Sequence, residues 1–134
     1  MLLNLLKAKI HRASVTEANL NYEGSITIDK SILEASGIYA HEQVHVVNCN
    51  NGERFVTYVI EGTAGSGAMC VNGAAARLVH PGDKIIVISY CHVSNEEARE
   101  HRPKVVLMED GNRIKDAYSL KPGAIDPGQP LPRV

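Results

Sequence analysis

Residues 43–60 read Gln43-Val44-His45-Val46-Val47-Asn48-Cys49-Asn50-Asn51-Gly52-Glu53-Arg54-Phe55-Val56-Thr57-Tyr58-Val59-Ile60. Two runs rich in β-branched and aromatic residues, 43–47 and 53–60, flank Asn50-Asn51-Gly52. Asn-Gly between such runs is a strong hairpin signal, because both residue types tolerate the positive φ that a tight turn demands. Working outward, the chain repeats this texture. Residues 7–15 alternate loosely, which predicts a strand with Lys9, His11 and Ala13 on one face and Ile10 and Arg12 on the other. Tyr22-Glu23-Gly24 reads as a turn before a short strand over 25–28. Asp29 is placed to cap a helix over residues 30–36, and Gly37 to end it. Residues 62–67 form a glycine-containing loop, 68–71 a short strand, and Pro81-Gly82-Asp83 a turn before the most apolar strand, 84–90. Ser94-Asn95-Glu96-Glu97 has the capping-box pattern, predicting a helix over 95–101 that Pro103 stops, with a last strand over 105–108.

Past Glu109 the texture changes. Pro122, Pro127, Pro130 and Pro132 fall among Gly111, Gly123 and Gly128, with little apolar content to offset the entropy of ordering. The expected organisation is one mainly β domain, 1–110, built as a small barrel with short helices, followed by a mobile tail, 111–134. No internal repeat of fixed period is visible.

The bulk numbers exclude several function classes. A chain of 134 residues can bury a core without disulfides or metals. A formal charge of −1, from 14 basic and 15 acidic residues, gives no basic excess for nucleic acid. No apolar run approaches a membrane span, and Lys7, Lys9 and His11 interrupt the apolar start too soon for a signal peptide, so the cytosol is the expected compartment. Cys49, Cys70 and Cys91 are odd in number and widely spaced, and neither C-x-x-C nor H-E-x-x-H occurs. No metal is expected.

Four motifs carry the reading further: Lys9-Ile10-His11-Arg12, Tyr22-Glu23-Gly24-Ser25, residues 51–58 of the hairpin, and Val71-Asn72-Gly73-Ala74-Ala75-Ala76-Arg77. In this order and separation, with Pro81-Gly82-Asp83 and Glu96-Glu97-Ala98-Arg99 continuing the likeness, the chain resembles the aspartate 1-decarboxylases, pyruvoyl enzymes that make β-alanine for pantothenate and coenzyme A synthesis. The likeness covers residues 1 to about 110, and Leu3-Asn4 replaces a basic residue that many relatives carry near position 3. The resemblance implies a double-psi β-barrel, a homotetramer with sites shared between neighbouring subunits, L-aspartate as substrate, and a covalent pyruvoyl cofactor. It also leaves open a requirement for an activation factor.

The resemblance implies that the chain cuts itself between Gly24 and Ser25 and converts Ser25 into the pyruvoyl group. Gly24 permits a strained turn, and the serine hydroxyl can attack the preceding carbonyl. Decarboxylation leaves electrons on the α-carbon, and a ketone that condenses with the substrate amine supplies the sink that pyridoxal phosphate supplies elsewhere. No Gly-rich phosphate loop opening a helix is present to hold that cofactor. Arg54 and Tyr58, four apart on a predicted strand, share a face. By resemblance Arg54 and Lys9 bind the substrate carboxylates, as guanidinium and ammonium groups do, and Tyr58 is the proton donor. Thr57 assists self-cleavage and contacts substrate by the same resemblance, although alternation puts it on the opposite face. Asn72, Gly73, Ala74 and Ala75 offer a side-chain amide and small residues that let backbone N–H groups approach developing charge. Tyr22 and His11 belong near the site by their place in the motifs. Two rivals stand beside this reading: a pyruvoyl decarboxylase that prefers glutamate, one methylene longer, and a β-barrel binding module that never cleaves.

Overall fold

The computed structural model describes residues 1–123. Nine strands are β1 (Leu2–Ser14), β2 (Glu17–Asn19), β3 (Ser25–Asp29), β4 (Gln43–Asn48), β5 (Arg54–Gly62), β6 (Met69–Asn72), β7 (Lys84–Ser94), β8 (Lys104–Glu109) and β9 (Arg113–Ser119). Two short helices, α1 (Lys30–Ser36) and α2 (Asn95–Ala98), and a 3-10 helix, Gly73–Leu78, complete the elements. Hydrogen-bonded neighbours follow the order β2-β6-β3-β5-β4-β7-β1-β8-β9. Most pairs are antiparallel, but three run parallel, β3 with β5, β1 with β8 and β2 with β6. A parallel pair cannot be joined by a tight turn, so each needs a crossover. Those crossovers set the connectivity of this mainly β fold.

The 43–60 hairpin forms as read. β4 and β5 pair without a register shift, from Gln43 opposite Tyr58 to Val47 opposite Arg54. Gly52 closes the turn at φ 77, with its N–H donating to the Asn48 carbonyl at 2.9 Å. Helix α1 has the caps that its sequence specifies. Asp29 accepts from the Ser31 N–H, and Gly37, in the left-handed region, donates to the Leu33 carbonyl. Ser94 and Glu97 close the capping box of α2, which ends at Ala98, three residues before the limit expected from sequence.

The core is the inner face of the sheet. Ile10, Val87, Val46 and Phe55 lie in one row across β1, β7, β4 and β5, and the first three are fully buried. Fully burying a Val or Ile side chain contributes about 1.5–3 kcal/mol, so this face dominates stability. The register of β1 against β7 shifts at two points, between Leu6 and Ala8 and between His11 and Ala13, and the second breaks the expected alternation. Arg12, within the second, sits at φ 63. The extra residue turns Ala13 inward, fully buried opposite Ile85, rather than leaving it beside Lys9 and His11.

The boundary at 111 needs correction. Arg113–Ser119 forms β9, paired antiparallel with β8, because Asn112 at φ 53 makes the turn between them. Asn112 is buried, its Nδ2 donating to the carbonyls of Ser14 and Gly67 and its Oδ1 accepting from the Ser14 N–H. One side chain thus anchors the β8–β9 turn to two other segments. Residues 124–134 of the expected tail lie outside the described residues. Among the described residues, no helix is long and apolar enough to cross a membrane, no three ligand-type side chains cluster as a metal site, and the three cysteines are unbridged.

Candidate active site

Strand β3 is held on both sides, by β5 in parallel and β6 antiparallel, and Ser25 is its first residue. Ser25 is fully buried, although Gly24 before it is exposed. Its Oγ accepts from Asn72 Nδ2 at 3.0 Å, because Asn72 lies directly opposite on β6. The serine hydroxyl proton points to the Glu23 carbonyl at 3.5 Å, a long contact that constrains it weakly. Asn72 Nδ2 also donates to Thr27 Oγ1 at 3.1 Å.

The turn that carries Gly24 rests on Gly73. A Cβ at position 73 would lie 2.7 Å from Gly24 Cα, 2.8 Å from Gly24 N and 3.1 Å from the Tyr22 carbonyl oxygen. Gly73 also sits at φ 73, where a side chain is strained. Glycine is therefore required at 73 for two independent reasons. The structure brings together the expected Gly24, Ser25, Asn72 and Gly73, with Tyr22 at the edge, and leaves Tyr22 itself exposed.

Strand registers place the remaining candidates. Ile26 pairs with Val59, so one step back brings Ser25 level with Tyr58. Tyr58 is 38% exposed. Thr57 faces the other way, opposite fully buried Val44, and no bulge interrupts β5 to re-aim it. Among the described residues, no hydrogen bond joins Thr57 to Gly24.

Directly paired residues project to the same side of a sheet. Lys9, Ile88, His45 and Val56 form one such row, and His11, Ile86, Val47 and Arg54 the next. Lys9, His11, Arg54 and Tyr58 therefore share the face opposite the core, an apolar surface bearing cationic groups. Lys9 and Arg54 are separated from Ser25 along the sheet. Arg54 lies four residues along β5 from Tyr58, about 13 Å at strand rise. β1 is four strands from β3 in the sheet order, about 19 Å along the sheet.

At the far end of β3, Asp29 ties the strand to the 62–67 loop. Its carboxylate accepts from the Ser31 N–H at 2.8 Å, Ser31 Oγ at 2.6 Å, the Gly65 N–H at 3.0 Å and the Gly67 N–H at 2.8 Å. Burial alone would raise its pKa, but these donors together hold it below the usual carboxylate value. Sequence reading saw only the helix cap. The loop bonds were hidden because no local pattern says which carboxylate a glycine loop will wrap. Thr27 was missed as well, although its place two residues after Ser25 puts it on the same strand face.

Comparison with known proteins gives a consistent result. The aspartate decarboxylase family profile matches residues 1–115. An aspartate 1-decarboxylase of Caldicellulosiruptor saccharolyticus is 61% identical over 114 residues, covering 85% of this chain and 89% of that protein. Aspartate 1-decarboxylases of Neisseria meningitidis and Anoxybacillus flavithermus are 56% and 57% identical, covering 91% and 92% of this chain and 96% and 98% of theirs. A solved structure of a rationally designed protein aligns at 17% identity with a TM-score of 0.44, over 59% of this chain and 91% of its own.

Proposed function

Because the chain belongs to the aspartate decarboxylase family, we propose that it removes the α-carboxyl group of L-aspartate to give β-alanine and carbon dioxide, using a pyruvoyl group made from its own Ser25. The observation that carries this reading is the buried Ser25 hydroxyl, held by Asn72 directly after a glycine turn that Gly73 alone can accommodate. These residues fit the group, because the nucleophile and the scissile carbonyl are adjacent in the chain and the surrounding strands fix them.

Self-processing balances as follows. Ser25 Oγ attacks the Gly24 carbonyl carbon, and the Ser25 nitrogen leaves as an amine, giving an ester. Loss of the Ser25 α-proton breaks the Cβ–Oγ bond, and Oγ departs in the Gly24 carboxylate. Water then replaces the nitrogen on the α-carbon, releasing ammonia and leaving a ketone. The fragments have 24 and 110 residues. When present, the pyruvoyl group supplies the electron sink for decarboxylation.

The chain's own residues bind and protonate. Asn72 presents its amide where charge develops, beside the small residues Gly73, Ala74 and Ala75. Tyr58, level with Ser25, donates the proton to the α-carbon. Lys9 and Arg54 bind the substrate carboxylates. Their distance along the sheet from Ser25 favours supply by a neighbouring subunit, in keeping with a homotetramer. A part for Thr57 in processing and substrate contact requires the cut site to approach the other face of β5, because Thr57 pairs with buried Val44 and no bulge re-aims it. β-Alanine serves pantothenate and coenzyme A synthesis in the cytosol.

Turnover of aspartate and glutamate by processed protein tests the substrate. Aspartate is expected to be preferred in kcat/KM by about ten-fold or more, the worth of one misplaced methylene. Equal or inverted values would contradict the assignment.

A further inference from the structure

We propose that Thr27 is a positioning residue that holds the Asn72 amide toward the reacting centre after the chain has cut itself, a role that rests on the pyruvoyl reading above. In the uncut chain the two Nδ2 protons of Asn72 have two acceptors, Ser25 Oγ at 3.0 Å and Thr27 Oγ1 at 3.1 Å. Ser25 and Thr27 are alternate residues on β3, so they share a face. Asn72 pairs with Ser25, and Cys70 with Thr27, so the backbone ladder sets the carboxamide between the two hydroxyls. Processing removes one of these acceptors, because Ser25 Oγ leaves with Gly24. The Thr27 hydroxyl is then the remaining one of the two, and the β3–β6 ladder that places it is untouched by the cut.

Thr27 is itself fixed. A Cβ at Gly62 would lie 3.1 Å from Thr27 Cγ2, so the absence of one there makes room for that methyl group. A β-branched side chain has few χ1 states, and seating Cγ2 against Gly62 directs Oγ1 toward Asn72. Without the hydroxyl, the Asn72 amide can rotate once Ser25 Oγ is gone. The loss should therefore fall on turnover more than on self-cleavage, where Ser25 Oγ still anchors the amide.

The test compares wild type, Thr27→Val, Thr27→Ser, Asn72→Ala and the Thr27→Val/Asn72→Ala pair, each scored for cutting, kcat and KM. Valine keeps the shape and the strand propensity. We expect Thr27→Val to cut within about two-fold of wild type and to lose about five-fold in kcat, the worth of one hydrogen bond. Thr27→Ser should recover kcat, and Thr27→Val should add nothing in the Asn72→Ala background. Wild-type kcat in Thr27→Val, failure of serine to rescue, or additive losses in the pair would overturn the role of Thr27 alone. A wild-type chain that never cuts would overturn the role and the pyruvoyl reading together.

Discussion

At Ser25, burial and exposure meet within one peptide bond: the serine is fully enclosed, and the glycine before it is exposed. Ser25→Ala should fold, since β3 keeps its ladders, and should remain a single inactive chain on a denaturing gel; any turnover would remove the pyruvoyl account. Tyr58→Phe should still cut but lose about 10²–10⁴ in kcat, the usual worth of a positioned general acid. Full turnover in that variant would take the proton-donor role from Tyr58. Gly73→Ala should slow self-cleavage, because its methyl group would enter space held by the Gly24 backbone. An unchanged cutting rate would mean that the turn moves aside freely. Of these residues, the motif singles out Ser25, and alternation predicts the one face of β5 that Arg54 and Tyr58 share in the structure. The Gly73–Gly24 contact and the Thr27–Asn72 bond are not legible in the sequence. Each joins residues 45 or more positions apart, which only the β3–β6 register brings together.

Among the elements, those set by local chemistry were readable: the 43–60 hairpin, α1 with its Asp29 and Gly37 caps, and the α2 capping box. Those set by pairing were not. β2 is three residues long, and β9 is almost wholly exposed, so neither carries an apolar pattern. The Arg12 bulge escaped because an arginine gives no sign of a positive φ. Asp29 shows what a local reading undervalues, since it caps α1 and gathers the 62–67 loop at once. Its native pKa is lowered, so its carboxylate stabilises the fold fully above the unfolded value near 3.8. That contribution declines as pH falls from there through the lowered native value, and it is gone once both states are protonated. Asp29→Asn should cost about 1–3 kcal/mol at neutral pH and flatten the acid limb of a pH–stability curve. An unchanged acid limb would assign that limb to other carboxylates, such as Asp83, which Asn48 and the His80 N–H also hold low.

For the whole molecule, the central fact is separation. Lys9 and His11 on β1 lie four strands from Ser25, and Arg54 lies four residues along the adjoining β5 from the level of Ser25. On the proposed reading, a lone chain holds Ser25 and these cations apart. Association would unite them, so coexpressing Ser25→Ala with Arg54→Ala should restore activity that neither variant has alone; no restoration would place both residues in a site closed within one chain. Processing comes before any of this. Intact-mass measurement on the purified protein tests it most directly. The expected result is two species parting at Gly24–Ser25, with the 110-residue fragment lighter than a free serine terminus requires by the change from serine to pyruvoyl. A single full-length mass that persists on prolonged warming, with activity against aspartate, would contradict the account.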